Sequence, residues 1–380
     1  MEKFKLRQII SADIEKELQQ VGFDEGYRVA ASYKYKYKNL KIYDLTPAQA
    51  NIIKQTAISY GADCATHRDV ITGKVEHSDV ILGGSESELK KIAEKLKQQP
   101  FKLDELGNTI IESLNIKKRT TKLVGILNIT PDSFSDGGLY FNPSDSQKHL
   151  MQMIEDGADM IDIGAESTRP FSEEVVSEEQ VKRLKPILEF IQKENINVPI
   201  SVDTRNSVVA DFALSSGANI INDVSGFDFD KNMVNIVAKH EAGVIIQHSK
   251  GTPETMQVAP QYTNLMEEIY RALQEKAEYA KSLGIKDIII DPGIGFGKTN
   301  DNNFEIIDRC EEFFSMGYPV MIGISRKSML QIAEANNELK DTLSVALSYP
   351  LARIGVDYLR VHNIKLHKKM LNLIKSYPTV

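Results

Sequence analysis

The sequence predicts an α/β chain, a (β/α)8 TIM barrel preceded by a small α+β domain. Three observations carry this prediction. After residue 121, eight short apolar, β-branched runs recur; stretches with helical spacing lie between them; and the runs begin apolar and finish polar. The runs are KLVGILNI (122–129), MIDIGA (160–165), PISVD (199–203), IINDV (220–224), GVIIQH (243–248), IIIDPG (288–293), PVMIGIS (319–325) and YLRVHN (358–363). Between them lie segments such as SEEQVKRLKPILEFIQKEN and NLMEEIYRALQEKAEYAKSLG, the second closing on Gly284 as a helix stop. A final segment, IKLHKKMLNLIKSY, follows the eighth run. Eight strand-then-helix units in about 260 residues match the size and order of a barrel. A doubly wound open sheet is the alternative, since strand order is not written in a sequence.

Residues 1–115 read differently. ASYKYKYKNLKIYDL alternates Lys and Tyr at the two-residue period of a strand with one wet face, which suits an edge strand protected against aggregation. DVILGG followed by SESELKKIAEKLKQQ reads as strand, turn and capped helix. Nothing in this region identifies its role. The boundary falls in the polar stretch NIKKRTT, so the barrel is expected over 121–380.

A chain of 380 residues with 42% hydrophobic content can bury a large core and a smaller one. Its net charge of -7 argues against nucleic acid or a membrane surface as partner, so a bound anion must be small and held locally. The N-terminal stretch is charged and lacks a signal-type apolar core, and no run approaches the roughly 20 apolar residues of a membrane span, so a cytoplasmic protein is expected. Cys64 and Cys310 have no metal-type or CxxC spacing and read as reduced, buried thiols.

The polar ends of the runs are Asn128, Asp162 with Glu166, Asp203, Asn222 with Asp223, His248, Asp291, Ser325 with Lys327, and Arg360 with His362. Parallel barrel strands deliver these ends to one rim, where such enzymes place their sites. After Asn128 the chain reads TPDSFSDGG, whose Pro, Gly and hydroxyl residues suit a loop that closes over that rim and opens again. Arg169, Lys327 and Arg360, with Lys298 and His362 as possible additions, point to a phosphate-like anion, and the Asn128 amide oxygen suits one position of a largely hydrated Mg2+. Any one Arg could instead serve a surface ion pair. Asp203, Asn222 and Asp291 can read the edge of a flat aminopyrimidine through paired N–H bonds, although Asp203 could equally cap the next helix. Asp291 is separated from any helix by DPGIGFGKT, a Gly-rich loop that lets backbone approach a ligand and lacks the Walker spacing. Phe296 at its tip either covers an aromatic ring or packs into the core; His248 reads as a structural histidine.

GILNITPDSFSDGG, DIGAESTRP, SVDT, IND, DPGIGFGKT, GISRKSM and RVHN, in this order over about 121–378, resemble the dihydropteroate synthases of folate biosynthesis. The resemblance implies that p-aminobenzoate displaces pyrophosphate from 6-hydroxymethyl-7,8-dihydropterin pyrophosphate, and that the enzyme is a sulfonamide target. It implies that Asn128 meets Mg2+, that Asp203, Asn222, Asp291 and Lys327 hold the pterin, and that Arg360 stacks on its face. Arg360 and His362 would bind pyrophosphate, with Thr168 near the diphosphate ester. The aminobenzoate would lie among Thr168, Arg169, Pro170, Phe296, Ser325 and Lys327, with Asp132 and Phe134 closing over the reacting methylene. Lys327, Arg360, His362 and Asp291 are the expected catalytic groups. A homodimer through late helices, around DTLSVALSYPLARIG, is also implied. The chain departs from the family pattern at Phe171, where a Gly is usual, and at Gln247, where a Met is usual; altered packing is expected there. Two rival functions are a methyltransferase built on a related pterin-binding barrel, and a non-catalytic pterin-binding module.

Overall fold

The computed structural model describes residues 7, 14–115, 119–130, 143–166, 175–251, 260–330 and 336–377. The chain divides into two compact units, one running to Ile116 and one over Lys117–Pro378. In the first, α1 (Ile14–Gln20) and α2 (Arg28–Ser32) precede β1 (Tyr37–Leu45), α3 (Pro47–Ser59), β2 (Asp63–Thr66), β3 (Ser78–Ser85), α4 (Glu86–Leu96) and α5 (Leu103–Leu114). The three strands form an antiparallel sheet in the order β1-β3-β2, which leaves the Lys/Tyr-rich β1 at an edge. Tyr33–Tyr35, the start of the alternating stretch, winds into a 3-10 turn instead of extending the strand. The helix starts follow side-chain chemistry: Thr46 with Gln49 and Ser85 with Glu88 are reciprocal capping boxes, each satisfying otherwise orphaned N–H groups. Val80 and Leu82 of β3 bury against Ile53, Leu89 and Ile92 of the helices.

The second unit carries all eight expected strands. They are β4 (Lys122–Asn128), β5 (Met160–Gly164), β6 (Ile200–Asp203), β7 (Ile220–Asp223), β8 (Gly243–Gln247), β9 (Ile288–Asp291), β10 (Met321–Ile322) and β11 (Tyr358–Val361). The intervening helices are α6 (Pro143–Glu155), α7 (Ser177–Lys193), α8 (Ser207–Ser215), α9 (Met233–Lys239), α10 (Leu265–Ser282), α11 (Asn300–Asp308) and α12 (Asn337–Ile354), and α13 (Ile364–Ser376) ends the unit. Every pairing is parallel, in the order β10-β11-β4-β5-β6-β7-β8-β9, and a parallel bridge between Ile290 and Val320 closes the circle. The closure excludes the open doubly wound sheet. Among the described residues no helix is long and apolar enough to cross a membrane.

Two layers of apolar contact hold the barrel. Outward residues such as Leu123, Ile163, Val202 and Ile246 pack beneath the helices, against Leu184, Val209 and Ile269 among others. Inside, Val124, Met160, Ile245, Ile289 and Met321 form a separate plug. Each such side chain contributes about 1.5–3 kcal/mol by leaving water, so the barrel can tolerate a rim crowded with buried polar groups. α10 ends at Ser282, and Gly284 follows it with φ +90, the left-handed geometry that stops a helix at little cost.

Candidate active site

The period-two alternation of a strand decides what reaches the barrel interior. Counting two residues at a time from the inner plug leads from Val124 through Ile126 to Asn128, and from Met160 to Asp162. The same step leads from Ile220 to Asn222, Ile245 to Gln247, Ile289 to Asp291, Met321 through Gly323 to Ser325, and Tyr358 through Arg360 to His362. Register aligns these ends. Asp203 pairs with Asn222 and with Gly164, Gln247 pairs with Asp291, and Asn128 pairs with Gly164. A Cβ on Gly164 would lie 3.2 Å from the Asn128 amide oxygen and 3.7 Å from Asp203 Cβ, which places Asn128 beside the acidic group.

At the centre lies one shared guanidinium. Arg360 donates from Nε to Asp162 Oδ2 at 2.6 Å and from Nη2 to Asp203 Oδ2 at 2.9 Å. Asn222 Nδ2 donates to the same Asp162 oxygen at 3.0 Å, which fixes its amide orientation. The other oxygens, Asp162 Oδ1, Asp203 Oδ1 and Asn222 Oδ1, are buried without a hydrogen-bond partner. A buried acceptor left unpaired costs about 1–3 kcal/mol, so this cluster is built for a ligand edge that presents N–H donors. Burial raises the Asp203 carboxyl to about 7, helped by the neighbouring carboxylates of Asp162, Glu166 and Asp223 and opposed by Arg360. Asp203 is not a helix cap; Asn206 caps α8 by accepting from Val208 and Val209. Asp223 also turns away from ligand chemistry, since it accepts from the Ser225 and Phe227 amides within its own turn.

The opposite side of the rim is formed by the loop after β9. Asp291, raised in pKa by burial, accepts from the Gly293 amide at 2.7 Å. Gly293, Gly295 and Gly297 all have positive φ, and an added Cβ at Gly293 would collide with the His248 carbonyl oxygen. No side chain fits there, so the Gly-rich motif is explained by backbone packing against the loop after β8. Lys327 donates to the Ile294 carbonyl and holds its ammonium 4.5 Å from the Phe296 ring centroid. Burial lowers the Lys327 ammonium to about 8, against the pull of Asp291, so it remains mostly cationic at neutral pH. Phe296 is half-buried and outside the core cluster, so it lines the rim. Ser325 Oγ lies 2.9 Å from His362 Nδ1 and accepts from the His362 backbone N–H at 3.2 Å.

Lys298 does not join the expected cation group. It is 2% exposed, donates to the carbonyls of His248 and Phe296, and lies 3.0 Å from His248 Nδ1. Burial, with a smaller contribution from Lys298, depresses the His248 imidazole well below its ordinary range, which fits a structural histidine. Thr168, Arg169, Pro170 and Phe171, with Asp132 and Phe134, lie outside the described residues. The structure thus brings Asn128, Asp203, Asn222, Asp291, Phe296, Ser325, Lys327, Arg360 and His362 to one rim. Asp162 is the group whose importance sequence reasoning missed. It was visible only as one polar strand end among eight, and nothing local marks it as the partner of Arg360.

Among the described residues no group of three or more His, Cys, Asp or Glu side chains is arranged to hold a metal. A rim offering the Asn128 amide oxygen suits Mg2+ that arrives on a diphosphate and keeps several waters, because such an ion needs only one or two protein oxygens. The arrangement as a whole pairs a buried acceptor set with fixed cations.

Comparison with known proteins agrees with this geometry. The pterin binding enzyme family matches residues 124–362. A dihydropteroate synthase from Clostridium beijerinckii is 41% identical over 258 residues, covering 67% of this chain and 92% of the relative. A solved dihydropteroate synthase from Anaplasma phagocytophilum with bound 6-hydroxymethylpterin-monophosphate superposes with TM-score 0.61 at 39% identity, covering 68% of this chain and 99% of that one. The bifunctional dihydropteroate synthase/dihydropteroate reductase of Helicobacter pylori is 32% identical over 363 residues, covering 94% of this chain and 93% of the relative. A match of that length necessarily takes in most of the N-terminal unit. With the barrel, its rim and these relatives in agreement, the chain belongs to the dihydropteroate synthase family of pterin-binding enzymes.

Proposed function

We infer that the rim condenses p-aminobenzoate with 6-hydroxymethyl-7,8-dihydropterin pyrophosphate to give 7,8-dihydropteroate and pyrophosphate. The observation that carries this reading is the trio of unpartnered buried oxygens on Asp162, Asp203 and Asn222, set against one guanidinium. An aminopyrimidine edge supplies the missing donors, and an anionic leaving group draws on the cations nearby. In the reaction the C–O bond to the diphosphate breaks and takes its electron pair with it. The amine nitrogen then forms the C–N bond and loses a proton to solvent. A pterin-conjugated methylene can share positive charge with its ring, so departure can precede attack and no covalent nucleophile is needed.

The chain's residues divide the work. Asp203, Asn222 and Asp291 hold the pterin edge and offset positive charge on the ring; Arg360 and His362 meet the diphosphate. Lys327 contacts the pterin and, with Phe296 and Ser325, borders the aminobenzoate position; the family resemblance assigns Thr168, Arg169 and Pro170, outside the described residues, to the same substrate. Asn128 would supply a protein oxygen to Mg2+, which neutralises part of the diphosphate charge. Each charge-stabilising contact of this kind contributes on the order of 3 kcal/mol, about a hundredfold in rate. A homodimer and a cytoplasmic location belong to the same reading. The exposed Leu339 and Tyr349 on α12 and the two unpaired thiols, Cys64 and Cys310, favour them.

In a turnover assay with both substrates, pyrophosphate release should require Mg2+ and stop on chelation with EDTA. Binding of both substrates without release would instead favour the non-catalytic module, and methyl transfer from methyltetrahydrofolate would favour the methyltransferase. A second activity is favoured by the full-length likeness to the Helicobacter pylori synthase/reductase. On this reading, adding a reduced nicotinamide or reduced flavin to the same assay converts the dihydropteroate product to tetrahydropteroate. Persistence of dihydropteroate with every donor would exclude it.

A further inference from the structure

Arg326 lies between Ser325 and Lys327 and holds a left-handed backbone, φ 57, that a residue with a side chain adopts only at a steric cost. Its guanidinium forms a two-pronged pair with Asp341 of α12, Nε to Oδ1 at 2.7 Å and Nη2 to Oδ2 at 2.9 Å. Its backbone N–H donates to Ser344 Oγ, one turn further along the same helix, at 3.3 Å. Asp341 is buried, and its Oδ2 accepts a second partner, Asn363 Nδ2, at 3.2 Å. Asn363 directly follows His362 and caps α13 through the Leu366 amide. One carboxylate on α12 therefore grips the residue between Ser325 and Lys327 and the residue next to His362.

We propose that Arg326, Asp341 and Asn363 form a clamp that positions the Ser325–Lys327 segment against the His362 end of β11. They are positioning residues for the aminobenzoate and diphosphate side of the site. The inference rests on the condensation proposed above. The geometry explains why an arginine occupies a backbone conformation better suited to glycine: the fork pays for the turn, and the turn separates the directions of its two neighbours. Asp203, Asn222 and Asp291 sit on β6, β7 and β9, which the clamp does not touch. Lys327, which contacts the pterin, lies inside the clamp, so loosening the clamp should cost pterin affinity less than it costs aminobenzoate turnover.

The test compares Arg326→Lys, Arg326→Gly and Asp341→Asn with the unaltered chain. It reads kcat, KM for each substrate, and calorimetric affinity for a pterin lacking the diphosphate. Arg326→Lys keeps the charge without the fork; Arg326→Gly relieves the backbone and removes the fork. All three should lose roughly tenfold to a hundredfold in kcat/KM for aminobenzoate, on the scale of one lost charged hydrogen bond, with a clearly smaller loss of pterin affinity, by way of Lys327 alone. Wild-type kinetics in Arg326→Gly would show that only the turn matters and would overturn the clamp. Pterin affinity falling in step with kcat/KM in all three variants would overturn it too, since that marks general loss of fold. Absence of turnover in the unaltered chain would instead overturn the condensation reading, and the clamp's assigned purpose with it.

Discussion

Replacing Arg360 with Met is expected to lower kcat/KM by about a hundredfold to a thousandfold and to destabilise the fold above neutral pH. The rate loss follows from removing a guanidinium that the proposed function sets against the departing diphosphate, and loss of one preorganised group of this kind costs about a hundredfold to a thousandfold. The stability loss has a separate origin. Asp162 and Asp203 share that guanidinium, and their side chains are 0% and 6% exposed. Stripping one partner from a buried ion pair costs about 3–5 kcal/mol, because the remaining charge is neither paired nor hydrated. Here two carboxylates would be left facing each other, and one must take up a proton. The Asp203 carboxyl, already raised by burial, loses the Arg360 charge that opposed the rise, so the missing stability should return in part as pH falls and be fully lost at pH 8. Urea melts at pH 5.5 and 8 would check the sign. Adding Asp162→Asn to Arg360→Met should recover stability without recovering rate. Equal instability at both pH values would show that Arg360 acts chiefly through packing.

The sequence made the barrel legible because strand burial is a local pattern. Every run that begins with residues such as Leu123 or Ile288 and ends in Asn128 or Asp291 carries its own orientation, and the period-two step then decides which polar end faces inward. Caps such as Ser85 with Glu88 were legible for the same reason, since donor and acceptor lie three residues apart. Pairings across the barrel are not local. Arg360 meets Asp162 and Asp203 from 198 and 157 residues away, and no spacing rule connects them. Lys298 reads in sequence as a cation open to an anion, but the close approach of Gly293 and Gly297 to the backbone of His248 and Lys250 buries it among carbonyls, and burial pushes its ammonium well below the ordinary lysine range. The seventh run was expected over PVMIGIS, yet the ladder covers only Met321–Ile322, because the chain then turns toward the left-handed Arg326. Asp341 was hidden for a simpler reason: on an amphipathic helix a carboxylate reads as a solvated face.

Asp203→Asn is expected to weaken pterin binding by roughly thirtyfold to 150-fold while the fold persists, and to abolish the pH dependence of that binding. In the free protein burial holds the Asp203 carboxyl at about 7, above its ordinary 3.8. The sign follows from linkage. A carboxyl with a raised folded pKa favours folding fully below its unfolded pKa, and that contribution fades as pH rises through the folded value. The free protein should therefore lose stability between about pH 4 and 7 through this group. Binding runs the other way, because N–H donors on a pterin edge favour the ionised carboxylate, pull its pKa down and expel a proton. Pterin affinity should rise with pH through about 7, and calorimetry in buffers of different ionisation enthalpy should register up to roughly three-quarters of a proton released per site near pH 6.5. Asparagine has the same shape but offers an amide that cannot ionise and can turn its own N–H toward the ligand's donors. Its affinity should be low and flat across the range, on the scale of a lost charge-assisted hydrogen bond of about 2–3 kcal/mol. A variant that binds pterin as the wild type does, with proton release intact, would move the titrating group elsewhere and remove Asp203 from the recognition edge.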